Sequence, residues 1–445
     1  MTRVGFFEDF GFDFAVRCVL SGVRNRMAEV GEVLALCERV VDGDAESWVH
    51  EWHLLADRAD AIGDAASTAG QPGSAWPAYL RAANYRFCGS YYLAATAAGA
   101  SDPSVAVTAW RAHRHSFDRA VDHLPSGVER LSIATDAGPL PGYRFTAPGS
   151  GSASGSADLR PTVVIVNGIG TPMSDVFMTG VADALDRGYH AVAFDGPGQG
   201  AALVEQGLHL RPDWEHVLGP VLDHVATLPG THPAHIAVMG ISHGGWFAAR
   251  SLAMAQATST SLTRPAAFVA DPGIIRLIDG VLPQFPDDLV ARFHQHDRSG
   301  FDDGLAARVS APDATNDLLV TARTIGEPFG TTSAYDALRQ LAAFDLTDLA
   351  SDVACPTLVC DPDAAGGWPG QSAELVRQVR GATRVAFTTA EGAGLDCEVL
   401  APELRNQRVY DWLGPLVRLP LPEKEPDGVL DLGRRARIAG SEADE

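Results

Sequence analysis

The chain has 445 residues, is 46% hydrophobic and 20% charged, and carries a formal net charge of −22 with a pI of about 4.9. That length allows roughly two or three domains with a sizeable core. A surface this acidic repels phosphate backbones and anionic lipid, so no nucleic-acid or membrane partner is expected. The opening stretch MTRVGFFEDFGFDF breaks its apolar residues with acids and does not read as a signal peptide. No run approaches the ~18 apolar residues of a membrane span. The cysteines (Cys18, Cys37, Cys88, Cys355, Cys360, Cys397) are scattered without CxxC pairs. A reduced, cytoplasmic protein without disulfides or structural zinc is the expectation.

Residues 1–125 predict a helical cap domain. SWVHEWHLLADRADAIGDAA places apolar residues at helical spacing, with Ser47 or Asp44 available as N-cap. SAWPAYLRAANYRFCGSYYLAATAAG and SVAVTAWRAHRHSFDRAVDHL continue the helical pattern, with an aromatic-rich middle. The pattern then changes. ERLSIAT and PGYRFTA predict two strands joined by a DAGPLPG turn, and PGSGSASGSADLR a flexible loop. Short apolar runs follow in alternation with helical stretches: PTVVIVNG, HAVAFDG, HIAVMGIS, AAFVADP, CPTLVCD and TRVAFTT. Strands buried on both faces read this way, so the core, 126–415, is α/β, with a mainly parallel sheet covered by helices. Residues 273–350 interrupt the alternation as a helical lid insert, and 416–445 form a polar tail.

HIAVMGISHGGW carries the chemistry. A buried strand ends in Gly240-Ile241-Ser242-His243-Gly244 and a helix begins, which is the G-x-S-x-G nucleophile elbow. The turn strains the serine, so the residues two before and two after must be very small. The motif alone is a weak signal; the strand before it, the helix after it and the surrounding βα units make it strong. The N–H of His243 is one expected oxyanion donor. The second is expected from the loop after VVIVNG, at Gly168, Ile169 or Gly170. FDGPGQGAALVEQG, after the preceding strand, makes a tight turn near the mouth of the site, which by itself is ordinary turn chemistry.

With these motifs in place, the chain resembles the α/β-hydrolase family that carries an N-terminal helical cap. That group includes the fermentation–respiration-switch-type esterases and the C–C-bond hydrolase of bacterial nicotine catabolism. The resemblance spans nearly all of residues 45–415 and rests on AYLRAANYRF, FDGPGQGAALVEQG, RPDWEHV, GISHGG, ADPGI, CPTLVCD…PGQ and EGAGLDC. It implies the α/β-hydrolase fold and a Ser–Asp–His triad in that chain order. Ser242 matches the nucleophile. The acid position falls on Ala365, with Asp361 and Asp363 nearby but displaced, and the histidine position falls on Asp396. Two triad members therefore depart together. Without an imidazole to orient, the acid has no task, and a carboxylate at 365 beside one at 396 would raise a pKa at a cost.

Three readings follow. In a non-hydrolytic enzyme, the elbow and oxyanion hole bind a carbonyl or enolate oxygen, and Asp396 moves a proton during elimination, cyclisation or C–C cleavage. In a rewired serine hydrolase, Asp396 or a histidine from elsewhere, such as His294 or His296 of the lid, takes the serine proton. In a pseudoenzyme the cavity only binds a ligand, although binding alone does not require a strained nucleophile. Asp271, after AAFVA, is a further candidate acid pointing to the cavity, or else a helix cap before Pro272. His50 and His53 allow two ligands on one helical face without an evident third, so cap packing is the better reading and no metal is implied. NGIGTP lacks the dinucleotide fingerprint, and no cofactor is implied. The expected partner is a small-molecule substrate, a medium-sized acyl or carbonyl metabolite; a homodimer stays open.

Overall fold

The computed structural model describes residues 5–149 and 159–417. The tail beyond 417 and residues 150–158 of the glycine- and serine-rich loop lie outside the described residues.

Helices α1 (Phe10–Ser21), α2 (Val30–Cys37), α3 (Ala45–Thr68), α4 (Pro72–Tyr91), α5 (Ala97–Ser101) and α6 (Ser104–His123) come first. Asp44, one of the two candidate caps, starts α3: its carboxylate accepts from the N–H groups of Glu46 and Ser47 at 2.9 and 3.3 Å. Trp48 and Trp52 on α3 are fully buried with Phe12, Tyr85 and Tyr92, so the aromatic-rich stretch forms the core of this helical unit. His53 bonds Ser90 Oγ through Nε2 at 3.2 Å, and His50 is exposed.

Eight strands form one sheet in the order β1-β2-β4-β3-β5-β6-β7-β8. They are β1 (Val128–Thr135), β2 (Gly138–Phe145), β3 (Arg160–Val166), β4 (His190–Phe194), β5 (Thr231–Ile241), β6 (Ala267–Asp271), β7 (Thr357–Pro362) and β8 (Thr383–Phe387). β1 and β2 run antiparallel, and every pairing from β4 to β8 is parallel. β3, β4 and β6 are buried along nearly their whole length, which is why they read as unbroken apolar runs.

The turn between β1 and β2 is shorter than the seven-residue stretch expected. Pro139 and Pro141 are already in β2, paired with Ala134 and Ser132. The Pro141 carbonyl accepts from Asp195 N–H, on the β4 side of the strand. The proline nitrogens face that same side, and the β2–β4 pairing ends at Gly142, where Pro141 has no N–H to return the bond it accepts.

Helices Asp287–His294, Arg298–Val309, Asn316–Thr324 and Ala334–Leu341 fall between β6 and β7. They pack on one another through Phe285, Phe293, Phe301 and Tyr335. They also touch the helical unit: Tyr92 donates to Asp317 at 2.9 Å, and Asn316 to the Gly43 carbonyl at 2.9 Å. The N-terminal helices reach the carboxyl ends of the strands at several points, among them Arg114 Nη1 on α6 to Asp195 Oδ2 after β4 at 3.5 Å. His113 Nε2 meets Ser174 Oγ at 3.4 Å in the loop after β3, and Leu400 N–H donates to Ser21 Oγ at 2.7 Å in the loop after β8.

Candidate active site

β5 delivers Ser242 with φ 54° and ψ −129°, a conformation that L-residues avoid at a cost of about 1–3 kcal/mol. The surrounding backbone enforces it. A Cβ at Gly240 would strike the Gly244 carbonyl, and one at Gly244 would strike the carbonyl of Val166 on β3. Ser242 N–H donates to the Asp271 carbonyl at the end of β6 at 2.7 Å. The helix His243–Thr258 begins at the next residue, and its first N–H groups have no intrahelical partner.

The loop after β3 lies against the serine: a Cβ on Gly168 would sit 3.2 Å from Ser242 Cβ. The three oxyanion candidates there differ. Gly168 N–H is taken by Asn167 Oδ1 at 2.9 Å, which removes it as a donor to substrate. Gly170, at φ 70°, is an exposed turn position. Ile169 N–H has no partner among the described residues.

Gln199, in the FDGPGQG turn, fixes this loop. Its side-chain N–H groups donate to the carbonyls of Asn167 at 2.7 Å and Gly168 at 3.1 Å, and its Oε1 accepts from Gly196 N–H at 2.8 Å. Holding the Gly168 carbonyl turns the Ile169 N–H of the same trans peptide the opposite way. The turn signal was legible in the sequence; the bracing role of Gln199 was not.

His243 was expected to contribute its backbone N–H, and its ring lies close to the serine as well. Its Nδ1 lies 3.3 Å from Ser242 Oγ, and its ring stands edge-on to Trp368 at 5.2 Å between centroids. Burial lowers its pKa to about 4, so the imidazole is neutral at pH 7.

Asp396 follows β8, on a turn where Cys397, Glu398 and Leu400 all take positive φ of 52°, 49° and 72°. Its Oδ2 accepts from Gly366 N–H at 3.2 Å, one residue from Ala365, where the resemblance placed the acid. Its Oδ1 is buried without a hydrogen-bond partner among the described residues. Burial raises its pKa; the N–H groups of Gly366 and Gly367 oppose that and Asp271 adds to it. Cys397 S–H points at the same Asp271 carbonyl that receives Ser242 N–H, 3.5 Å away, so the turn lies directly beside the elbow. The thiol itself is pushed well above its usual range, first by burial.

Several expected acids and bases are placed elsewhere. The Asp271 side chain is fully buried, and its Oδ2 takes Arg405 Nε at 2.6 Å, so it does not stand in the cavity as a free acid. Glu398, also fully buried, lies 3.8 Å from the same guanidinium, and its carboxyl is pushed well above the usual carboxylate range, first by burial and then by Asp271. Asp271, Cys360 and Glu398 are close enough to hold a metal, but Arg405 already supplies the cation there. Asp363 caps Thr389, and Asp361 pairs with Arg384, so both acids near position 365 are engaged elsewhere. His294 and His296 are exposed on the lid rather than swung inward. A groove of about 460 Å³ on the helical unit, lined by Glu46, His53, Arg86 and Thr108 among others, has no residue in common with this site.

A parallel sheet with a serine on a strained strand-to-helix elbow, under helices added before β1, defines an α/β-hydrolase fold. Residues 163–419 match the alpha/beta hydrolase family, and the chain belongs to it. It is 31% identical over 404 residues to Hydrolase LUC6 of a Fusarium species, covering 87% of this chain and 91% of that one. It is 31% identical over 432 residues to Alpha/beta hydrolase psoB of Aspergillus fumigatus, covering 90% and 92%. The 20-hydroxy-prefusarin hydrolase FUS2 of Gibberella moniliformis is 34% identical over 252 residues, covering 55% and 58%. In fold it is similar to the 2,6-dihydroxy-pseudo-oxynicotine hydrolase, with a TM-score of 0.66 at 20% identity over 91% of this chain and 95% of that one.

Proposed function

We propose that the protein is an enzyme acting on a medium-sized acyl or carbonyl metabolite by non-hydrolytic chemistry. The N–H groups of His243 and Ile169 hold the carbonyl oxygen beside Ser242, and Asp396 moves the proton. Loss of a proton from carbon next to that carbonyl gives an enolate, whose oxygen the two N–H groups stabilise. Elimination or cyclisation proceeds from that enolate; in C–C cleavage of the retro-aldol type Asp396 instead takes the proton of a β-hydroxyl, the Cα–Cβ bond breaks, and the enolate left behind is held by the same two N–H groups. The carrying observation is the orphaned, buried Oδ1 of Asp396 at the family's histidine position. A carboxylate whose pKa is raised by burial is a better base than an exposed one.

A hydrolytic second reading has its own support. Ser242 Oγ and His243 Nδ1 are 3.3 Å apart, and the relatives carry hydrolase names. Here His243 takes the serine proton, although an imidazole with a pKa near 4 is a weak base. Turnover of p-nitrophenyl acetate separates the two. Slow hydrolysis, unchanged in His243→Ala, is expected. Brisk hydrolysis lost in both Ser242→Ala and His243→Ala overturns the non-hydrolytic reading.

A further inference from the structure

The loop that carries Gly168 and Ile169 continues to Asp175, which none of the chemistry above uses. Its Oδ1 is sealed from solvent and has no hydrogen-bond partner among the described residues. Burial alone raises its pKa to about 7, with no cation nearby to offset it. The groups facing it are uncharged at neutral pH. They are Cys18 on α1 and Cys88 on α4, both thiols raised by burial, and on α6 His113, whose Nε2 holds the adjacent Ser174. His113 is itself lowered to about 4 by burial. Asp175, Cys18, Ser242 and His243 each keep some accessible surface, although protein encloses Asp175, Cys18 and His243 closely.

We propose that Asp175 is a substrate-reading carboxylate of the space between the N-terminal helices and the strand ends, taking a hydrogen-bond donor of the substrate while Ser242 engages its carbonyl. The donor is an ammonium or a hydroxyl; both offer the proton the orphaned oxygen lacks. A fold does not keep an unpartnered buried carboxylate for stability, since such a group costs free energy as it ionises. His113 and Ser174 hold the loop in register, so the carboxylate is presented rather than free to turn to solvent.

The inference rests on Ser242 being the active centre, and the test keeps the two apart. Boronic acids add to a serine Oγ to give an anionic tetrahedral boronate, the hydroxyl proton going to solvent. A series with two- to six-carbon chains ending in methyl, hydroxyl or ammonium is titrated by calorimetry. At one chain length the wild type is expected to favour a donor end over methyl by about tenfold or more. Asp175→Leu loses that preference. Asp175→Asn keeps a hydroxyl preference and loses an ammonium one, which identifies the donor. A preference absent at every length, or surviving in Asp175→Leu, overturns the proposal. If no boronate binds, or Ser242→Ala binds equally well, the reading of Ser242 fails instead, and melting then decides Asp175. The carboxylate's folded pKa lies above its unfolded value, so its stabilising contribution is lost as pH rises through about 7. Asp175→Asn should match the wild type only below about pH 4, and should melt higher by a margin that widens from pH 5 to pH 8. A lower melting point at pH 8 makes Asp175 a structural acceptor and overturns the proposal.

Discussion

At the scale of single residues, the two positions that the family resemblance assigns to the acid and the histidine are neighbours. Position 365 lies beside position 396, because Asp396 Oδ2 takes the N–H of Gly366. An imidazole at 396 would therefore find its orienting carboxylate at 365. Asp396→Ala should abolish the native activity by removing the proton acceptor. Asp396→His alone should give little ester hydrolysis, since Ala365 cannot fix the tautomer of the new ring. Adding Ala365→Asp should restore measurable hydrolysis of p-nitrophenyl acetate, dependent on Ser242. Full native activity in Asp396→Ala makes the aspartate structural. The pH profile is a second check. A base with a raised pKa is active when deprotonated, so the native rate should fall as pH drops through that raised value.

At the scale of elements, the site depends on turns held from a distance. Gln199 reaches from the turn after β4 to two carbonyls of the loop after β3. Gln199→Ala should release the Ile169 peptide and slow phosphonylation of Ser242 by a fluorophosphonate by up to about 100- to 1,000-fold, the scale of a lost oxyanion donor. An unchanged rate would remove Ile169 from the oxyanion hole. The helix Pro402–Val417 supplies Arg405, the guanidinium against Asp271. Arg405→Met leaves that carboxylate buried and unpaired, and urea unfolding should show a loss of about 3–5 kcal/mol. The strands and the elbow were legible in the sequence, because apolar runs and glycine spacing are local signals. The β2 start was misplaced because prolines read as turn residues until the strand's neighbours are known. Gln199, Asp175 and the Asp271–Arg405 pair escaped notice, and the His243 ring was set aside, for a related reason. Each acquires its role from a partner far along the chain or from an enclosure that no local pattern records. Asp271 shows the same limit in reverse: its place after β6 fitted a catalytic acid, and a residue 134 positions away claimed it.

At the scale of the whole molecule, two sources of pH dependence overlap and salt separates them. Asp175, Asp396 and Glu398 all have folded pKa values raised above their unfolded ones, so their stabilising contributions are lost as pH rises through those values. His113 and His243 are lowered to about 4, so they destabilise the fold as pH falls below about 6.5 towards that value. The two groups oppose each other below about pH 6.5. Above it the histidines are neutral in both states and the carboxylates act alone, with Asp175 titrating near 7. The formal charge of −22 adds surface repulsion on the same alkaline side. The melting temperature should therefore fall between pH 6.5 and 8. Surface repulsion is screened at a Debye length of about 8 Å in 0.15 M salt, whereas the penalty of ionising an enclosed carboxylate is screened much less. Added sodium chloride should flatten the fall only in part, and the remainder should shrink in Asp175→Asn. Calorimetric scans at low and moderate salt measure both parts. A fall that salt removes entirely would assign the whole effect to surface charge and leave the buried carboxylates without a measurable share.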